Sequence, residues 1–223
     1  MASSVKLPAH NIDLFMELQV TELEKDIIKE ILNIGLARAA DSFALIAKDK
    51  VLMKVPDVEL IGANELFKLI TGYEDTHEII QSDIKGDLNG TTLMLFSTDH
   101  VEMLSAVCLN LKEPFKKPLS PMQESLLLEI SNIITGAFVT QLANILKADI
   151  YGSPPLYPLK GINHSLNHIF EVNPLFQPMV FTVLTHFTDH EGMVELPLFL
   201  FFDTLTFNKI LEIIRSYKFY EER

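Results

Sequence analysis

Residues 23–35 read LEKDIIKEILNIG, and residues 120–136 read SPMQESLLLEISNIITG. Each run sets a carboxylate three residues ahead of an asparagine: Glu30 and Asn33 in the first, Glu129 and Asn132 in the second. Asp26 stands four residues before Glu30, and Ser125 four before Glu129. Pro56 and Pro155 each follow their asparagine by 23 residues, so the two patterns share one spacing and lie 99 residues apart. At about 100° per residue, positions i, i+4 and i+7 of a helix fall within roughly 60° of one another. Each motif therefore forms one narrow polar stripe. A 99-residue offset is far longer than solenoid periods of about 20–50 residues. It reads as a duplicated unit.

The rest of the chain fits around these two helices. Apolar residues recur at helical spacing from Thr21 to Lys48, and KVLMKVPDVELIG (50–62) reads as a strand broken at Pro56. Residues 63–85 read as a variable polar stretch, 86–97 as a second strand, and 98–111 as a short helix capped by Thr98 or Asp99. The order then returns: a long helix over 119–147 with Ser120 as N-cap and Pro121 in its first turn, a strand from 148, and a loop over 156–177. A hairpin over 178–187 and 193–203 and a closing helix over 204–217 complete it. The expected fold is α/β (α+β): a central sheet packed against two long motif-bearing helices plus shorter ones, with pseudo-two-fold symmetry. The expected organisation is a lead-in over 1–20, one domain over 21–217 made of repeats 21–111 and 119–217, and a tail over 218–223.

Small residues extend both stripes, Ala37, Ala40 and Ala44 in the first and Gly136, Thr140 and Ala143 in the second. The opposite sides are assigned Ile27, Ile31, Ile34 and Phe43, and Leu126, Ile130, Ile133 and Phe138. A merely solvated face usually carries long charged side chains instead. Asparagine is a modest helix former, because its amide competes for backbone hydrogen bonds. Its use twice at one register points to chemistry. A carboxamide donates and accepts hydrogen bonds at once, which suits holding a water in line for attack. The glutamate could act as a base, bind a metal or pair with a partner's lysine. Metal is the weakest of these, since Ser125 replaces Asp26 in the second copy and few ligands remain.

Composition narrows the alternatives. The 223 residues carry 18 basic and 30 acidic groups, a net charge of −12, which opposes binding to nucleic acid or anionic membranes. Cys108 is the single cysteine, so an internal disulfide and a cysteine-based zinc site are excluded; it reads as a small buried hydrophobe. No uninterrupted apolar run reaches the roughly 18 residues of a membrane span, and the N-terminus lacks a signal-peptide pattern. The expected compartment is the cytoplasm. His164, His168, His186 and His190 fit no zinc pattern. Phe199, Phe201 and Phe202 read as core.

The Asp/Ser-x3-Glu-x2-Asn-x22-Pro pattern, with NIGLARAADSF following the first asparagine, resembles the CheC/CheX/FliY family of chemotaxis phosphatases. Two copies favour the two-site CheC type. A CheX-like chain would carry one site, a FliY-like chain would add a C-terminal switch domain, and a FliM-like middle domain would lack the paired residues. The resemblance implies hydrolysis of the aspartyl phosphate of a CheY-type response regulator. Glu30 and Glu129 would pair with the regulator's lysine, while Asn33 and Asn132 would orient the attacking water. Asp26, Ser125, Pro56 and Pro155 would support the site. Mg²⁺ would be held by the regulator, with no cofactor of the chain's own. A CheD-like deamidase is a further partner that the family allows. The alternative is a non-catalytic adaptor that binds a regulator or such a partner.

Overall fold

The chain runs α1 (Glu22–Ala47), β1 (Val51–Lys54), β2 (Val58–Leu60), β3 (His77–Gly86), β4 (Gly90–Ser97) and α2 (Thr98–Leu109). It continues α3 (Pro121–Leu146), β5 (Ile150–Gly152), β6 (Phe176–Phe187), β7 (Gly192–Asp203) and α4 (Thr204–Ser216). The structure is a computed structural model. It describes residues 20–48, 51–54, 58–61, 66, 68–70, 73, 77–111, 114, 117–157, 176–187 and 192–216. The fold is mixed α/β, as expected.

Among the described residues every strand pairing is antiparallel, and the strands lie in the order β1-β6-β7-β4-β3-β5, with β2 also on β6. Strands from both halves of the chain are thus interleaved in one sheet. Exchanging β1 with β5, β6 with β3 and β7 with β4 reverses the order onto itself.

The two central strands, β4 and β7, are buried on both faces. Met94, Phe96, Leu198, Leu200 and Phe202 face the helices in the larger core, while Leu93, Leu95, Phe199 and Phe201 join Leu66 and Ile70 in a smaller one. Successive strand residues point to opposite faces, so two covered faces require a continuous apolar run rather than an alternating one. That is the physical reason for LPLFLFF at 196–202.

Several boundaries differ from expectation, β6 beginning at Phe176 inside the expected loop, and three of the differences have a local cause. His77–Gly86, all but its last residue within the stretch taken as polar and variable, is a ten-residue strand. Its inward positions are Ile80, Ser82 and Ile84, and the serine conceals the alternation. Residues 87–89 form the turn before β4, which begins only at Gly90. Gly86 makes this possible: at φ 117 a side chain there would strike the Asp149 carbonyl oxygen. The third is the cap of α2, which is Ser97 and not Thr98 or Asp99.

The α2 cap also carries a pH dependence. Ser97 Oγ accepts from the His100 N–H at 3.2 Å, and the Ser97 N–H donates to His100 Nδ1 at 3.0 Å. Accepting that bond requires a neutral ring. Burial holds the His100 pKa below 6.5, His77 lowers it further at 6.5 Å between ring centroids, and Asp99 opposes both. A lowered folded pKa means that the unfolded chain binds the proton first. The contribution is therefore complete above about pH 6.5 and lost as pH falls from there through the lowered folded value. A cap is worth about 1 kcal/mol, so thermal midpoints at pH 7.5 and 5.5 should differ by about 2–4 °C more in wild type than in His100→Gln. Glutamine keeps the capping box without titrating. Equal pH slopes in the two proteins would exclude the mechanism.

Candidate functional site

Each motif helix starts from a capping box, Thr21 with Glu24 on α1 and Ser120 with Gln123 on α3. In both, side-chain oxygens satisfy backbone N–H groups that the helix leaves unpaired. Each N-cap lies 12 residues before its asparagine, and each helix runs for 26 residues to a left-handed lysine, Lys48 or Lys147. Gln123 Nε2 also donates to Ser105 Oγ at 3.2 Å, tying the start of α3 to α2.

This register brings Asp26 and Glu30 to the exposed side of α1, with Asn33 half-buried at its edge, and Ser125, Glu129 and Asn132 to the exposed side of α3. Among the described residues, no side-chain hydrogen bond or ion pair within the chain engages Glu30, Glu129 or Asn132. Their donors and acceptors are available to a partner.

Two assignments around the stripe change. Ile34, placed on the inner side, is 44% exposed, and Ala40, placed on the open stripe, is buried. The exposed arc of α1 runs through Asp26, Glu30, Ile34, Ala37 and Asp41, so it is rotated slightly toward Ile34. The cause is the crossing with α3. Gly35 faces α3 so closely that a methyl group there would lie 3.1 Å from the Ala137 carbonyl oxygen.

A feature that the sequence did not announce lies beside the second asparagine. Between α3 and β5 is a crevice of about 210 Å³ lined by Asn132, Gly136, Val139, Thr140, Gly152 and Ser153. One turn below Asn132, buried Thr135 meets Thr92 Oγ1 at 3.5 Å, and Thr92 Oγ1 is 3.3 Å from the Ser82 carbonyl oxygen it donates to. Both hydroxyls anchor α3 on the sheet. The far wall is held to β3 by the Ser153 N–H to Asp83 O bond at 2.7 Å and by Asp83 N–H to Ser153 Oγ at 2.9 Å. Pro155 follows in this segment, and Leu156 beyond it exchanges two backbone bonds of 2.9 Å with Gln81. Pro56 lies outside the described residues, so its relation to Asn33 is not part of this geometry.

The other candidates are dispersed. His186 is exposed, and His164, His168 and His190 lie outside the described residues. Among the described residues, no three His, Cys, Asp or Glu side chains are grouped to hold a metal. Cys108 is half-buried, and burial pushes its thiol pKa up to about 12, which leaves it protonated near neutrality. Among the described residues, α3 is long and apolar enough by composition to cross a bilayer, and more than half of that window is buried inside the protein.

The model of the CheC-like family matches residues 122–156, a segment that contains Ser125, Glu129, Asn132, the crevice and Pro155. The CheY-P phosphatase CheC of Bacillus subtilis (strain 168) is 28% identical over 138 residues, 61% of this chain. The likeness is to the CheC-like family. The match spans 66% of the Bacillus protein, just under two thirds of its length.

Solved structures agree on the fold. The chain superposes on Thermotoga maritima FliY with a TM-score of 0.66 at 20% identity, over 88% of this chain and 98% of that one. A chain of the H. pylori FliG–FliM complex gives 0.61 at 10% identity, over 86% and 100%. At such identities the likeness concerns architecture alone, and one architecture serves many functions.

Proposed function

We propose that this protein hydrolyses the aspartyl phosphate of a CheY-type response regulator. The observation that carries the reading is the exposed pair Glu129 and Asn132, one helical turn apart and unengaged within the described chain, with Glu30 and Asn33 at the same register of α1. Naming the substrate leans on the likeness to a CheY-P phosphatase.

In this reading each glutamate docks on the regulator's active-site lysine, and each asparagine carboxamide holds a water opposite the scissile P–O bond. The water oxygen bonds to phosphorus while the phosphorus–aspartate bond breaks. The regulator regains its carboxylate, inorganic phosphate leaves, and the water's proton passes to phosphate or solvent. Positioning is most of what such a transfer asks of a protein. Mg²⁺ belongs to the regulator, and Asp26, Ser125, Pro56 and Pro155 serve as local support.

The adaptor reading uses the same surface for capture alone. The deciding experiment follows aspartyl-phosphate loss from the CheY-type regulators of the same organism, with and without the wild-type protein. Faster loss from one of them is the expected result. Binding of a phosphorylated regulator with unchanged decay would replace the phosphatase by an adaptor, and a CheD-like deamidase would then be the next partner to test.

A further inference from the structure

Five glycines fall among the residues whose surroundings are described. Three are demanded by the chain itself. Gly35 lets two helices cross, Gly86 has φ 117, and a side chain on Gly90 would strike the Phe201 carbonyl oxygen at 2.5 Å. The other two have no such cause. A methyl group on Gly136 would meet nothing within 4 Å, and one on Gly152 would rest 3.9 Å from Val139 Cγ2, an ordinary contact. Gly136 lies inside a 26-residue helix, where glycine costs about 1 kcal/mol relative to alanine. Both of these glycines line the crevice beside Asn132. No packing among the described residues requires either to lack a side chain.

At the 99-residue offset, Gly136 and Gly152 correspond to Ala37 and Met53. Met53 is buried, whereas Gly152 is exposed.

The crevice dimensions select its occupant. A volume of about 210 Å³ lies below the roughly 300–1,000 Å³ of small-molecule and cofactor sites. It exceeds the about 150 Å³ known to hold benzene. None of its lining residues is basic, so an anion such as free phosphate would find no counter-charge. Val139 and Ile150 supply an apolar surface, and the hydroxyls of Thr140 and Ser153 supply polar groups. We infer that the crevice receives one neutral side chain of phenyl-ring size from the phosphorylated regulator. The inference rests on the regulator being the partner. It does not rest on hydrolysis.

The test is a binding titration with the CheY-type regulators of the same organism, held in the activated state by beryllofluoride and Mg²⁺. The proteins are wild type, Gly152→Ala, Gly152→Met and Gly136→Leu. Met and Leu fill the crevice and should each raise the Kd of the tightest phase at least ~10-fold, while Ala changes it less than ~3-fold. Thermal midpoints should stay level or rise, because neither site is strained or crowded. Met and Leu variants that fold and bind as tightly as wild type would overturn the inference, as would wild type binding no activated regulator. If wild type binds but does not hasten phosphate loss, hydrolysis fails while the crevice result stands on affinity alone.

Discussion

Replacing Asn33 and Asn132 together by alanine is expected to abolish the acceleration of aspartyl-phosphate loss, a fall on the order of 10²-fold or more. The carboxamide donates and accepts at once, in both stripes. Alanine keeps the helix, since it is the better helix former, so the fold should be unaffected. The glutamates remain, and affinity for the activated regulator should change less than ~3-fold. The loss therefore falls on the rate at saturation and not on binding, as for a group used in the transition state. Of the single variants, Asn132→Ala should cost more, because the open crevice lies at that site. A double variant that retains wild-type rates would remove asparagine from the mechanism. Loss of affinity in parallel with rate would make it a docking residue instead.

Arg215→Ala should lower stability by about 2–3 kcal/mol, or about 5–10 °C in thermal midpoint for a chain of this size. Glu24 is 2% exposed and accepts from the Thr21 N–H at 2.7 Å, from Thr21 Oγ1 at 2.9 Å and from Arg215 Nε. The carboxylate both closes the cap of α1 and pins α4 to it. Removing the arginine leaves a buried charge with only the cap donors. The effect falls below that of a fully buried pair because the Arg215 side chain is half-exposed and water replaces part of it.

Arg215 chiefly, and Thr21 next, hold the Glu24 carboxyl below its ordinary 4.5 against the opposing effect of burial. A lowered folded pKa contributes stability that is present above that value and lost as pH falls below it. The midpoint gap between wild type and Arg215→Ala should therefore narrow under acid. The double variant Glu24→Leu/Arg215→Met should be more stable than Arg215→Ala, since it leaves no buried charge. An Arg215→Ala midpoint within ~1 °C of wild type would show that the pair contributes nothing.

How far the sequence could be read follows from what each signal depends on. The start of α3 was legible because its cap is local: Ser120 stands within one turn of the N–H it satisfies. The closing hairpin was legible from its continuous apolar run. β3 was not, because Ser82 occupies a buried position where the pattern calls for an apolar residue. The outward turn of Ile34 was hidden for another reason. Its exposure depends on the angle at which α1 meets α3, which is set by Gly35 against Ala137, 102 residues away in the chain.

The sequence by itself determined the two motif helices, their register and the polar stripe on each, since all three follow from spacing along a single helix. Which faces of the strands are covered, and how strands of the two halves interleave, depended on pairing between distant segments. The crevice was decided by tertiary structure alone. It exists because β5 passes beside α3 with Gly152 facing Val139, and because Gly136 leaves the helix surface bare. A glycine in a sequence states only that a side chain is missing. What the missing side chain would have touched is a property of the packed molecule.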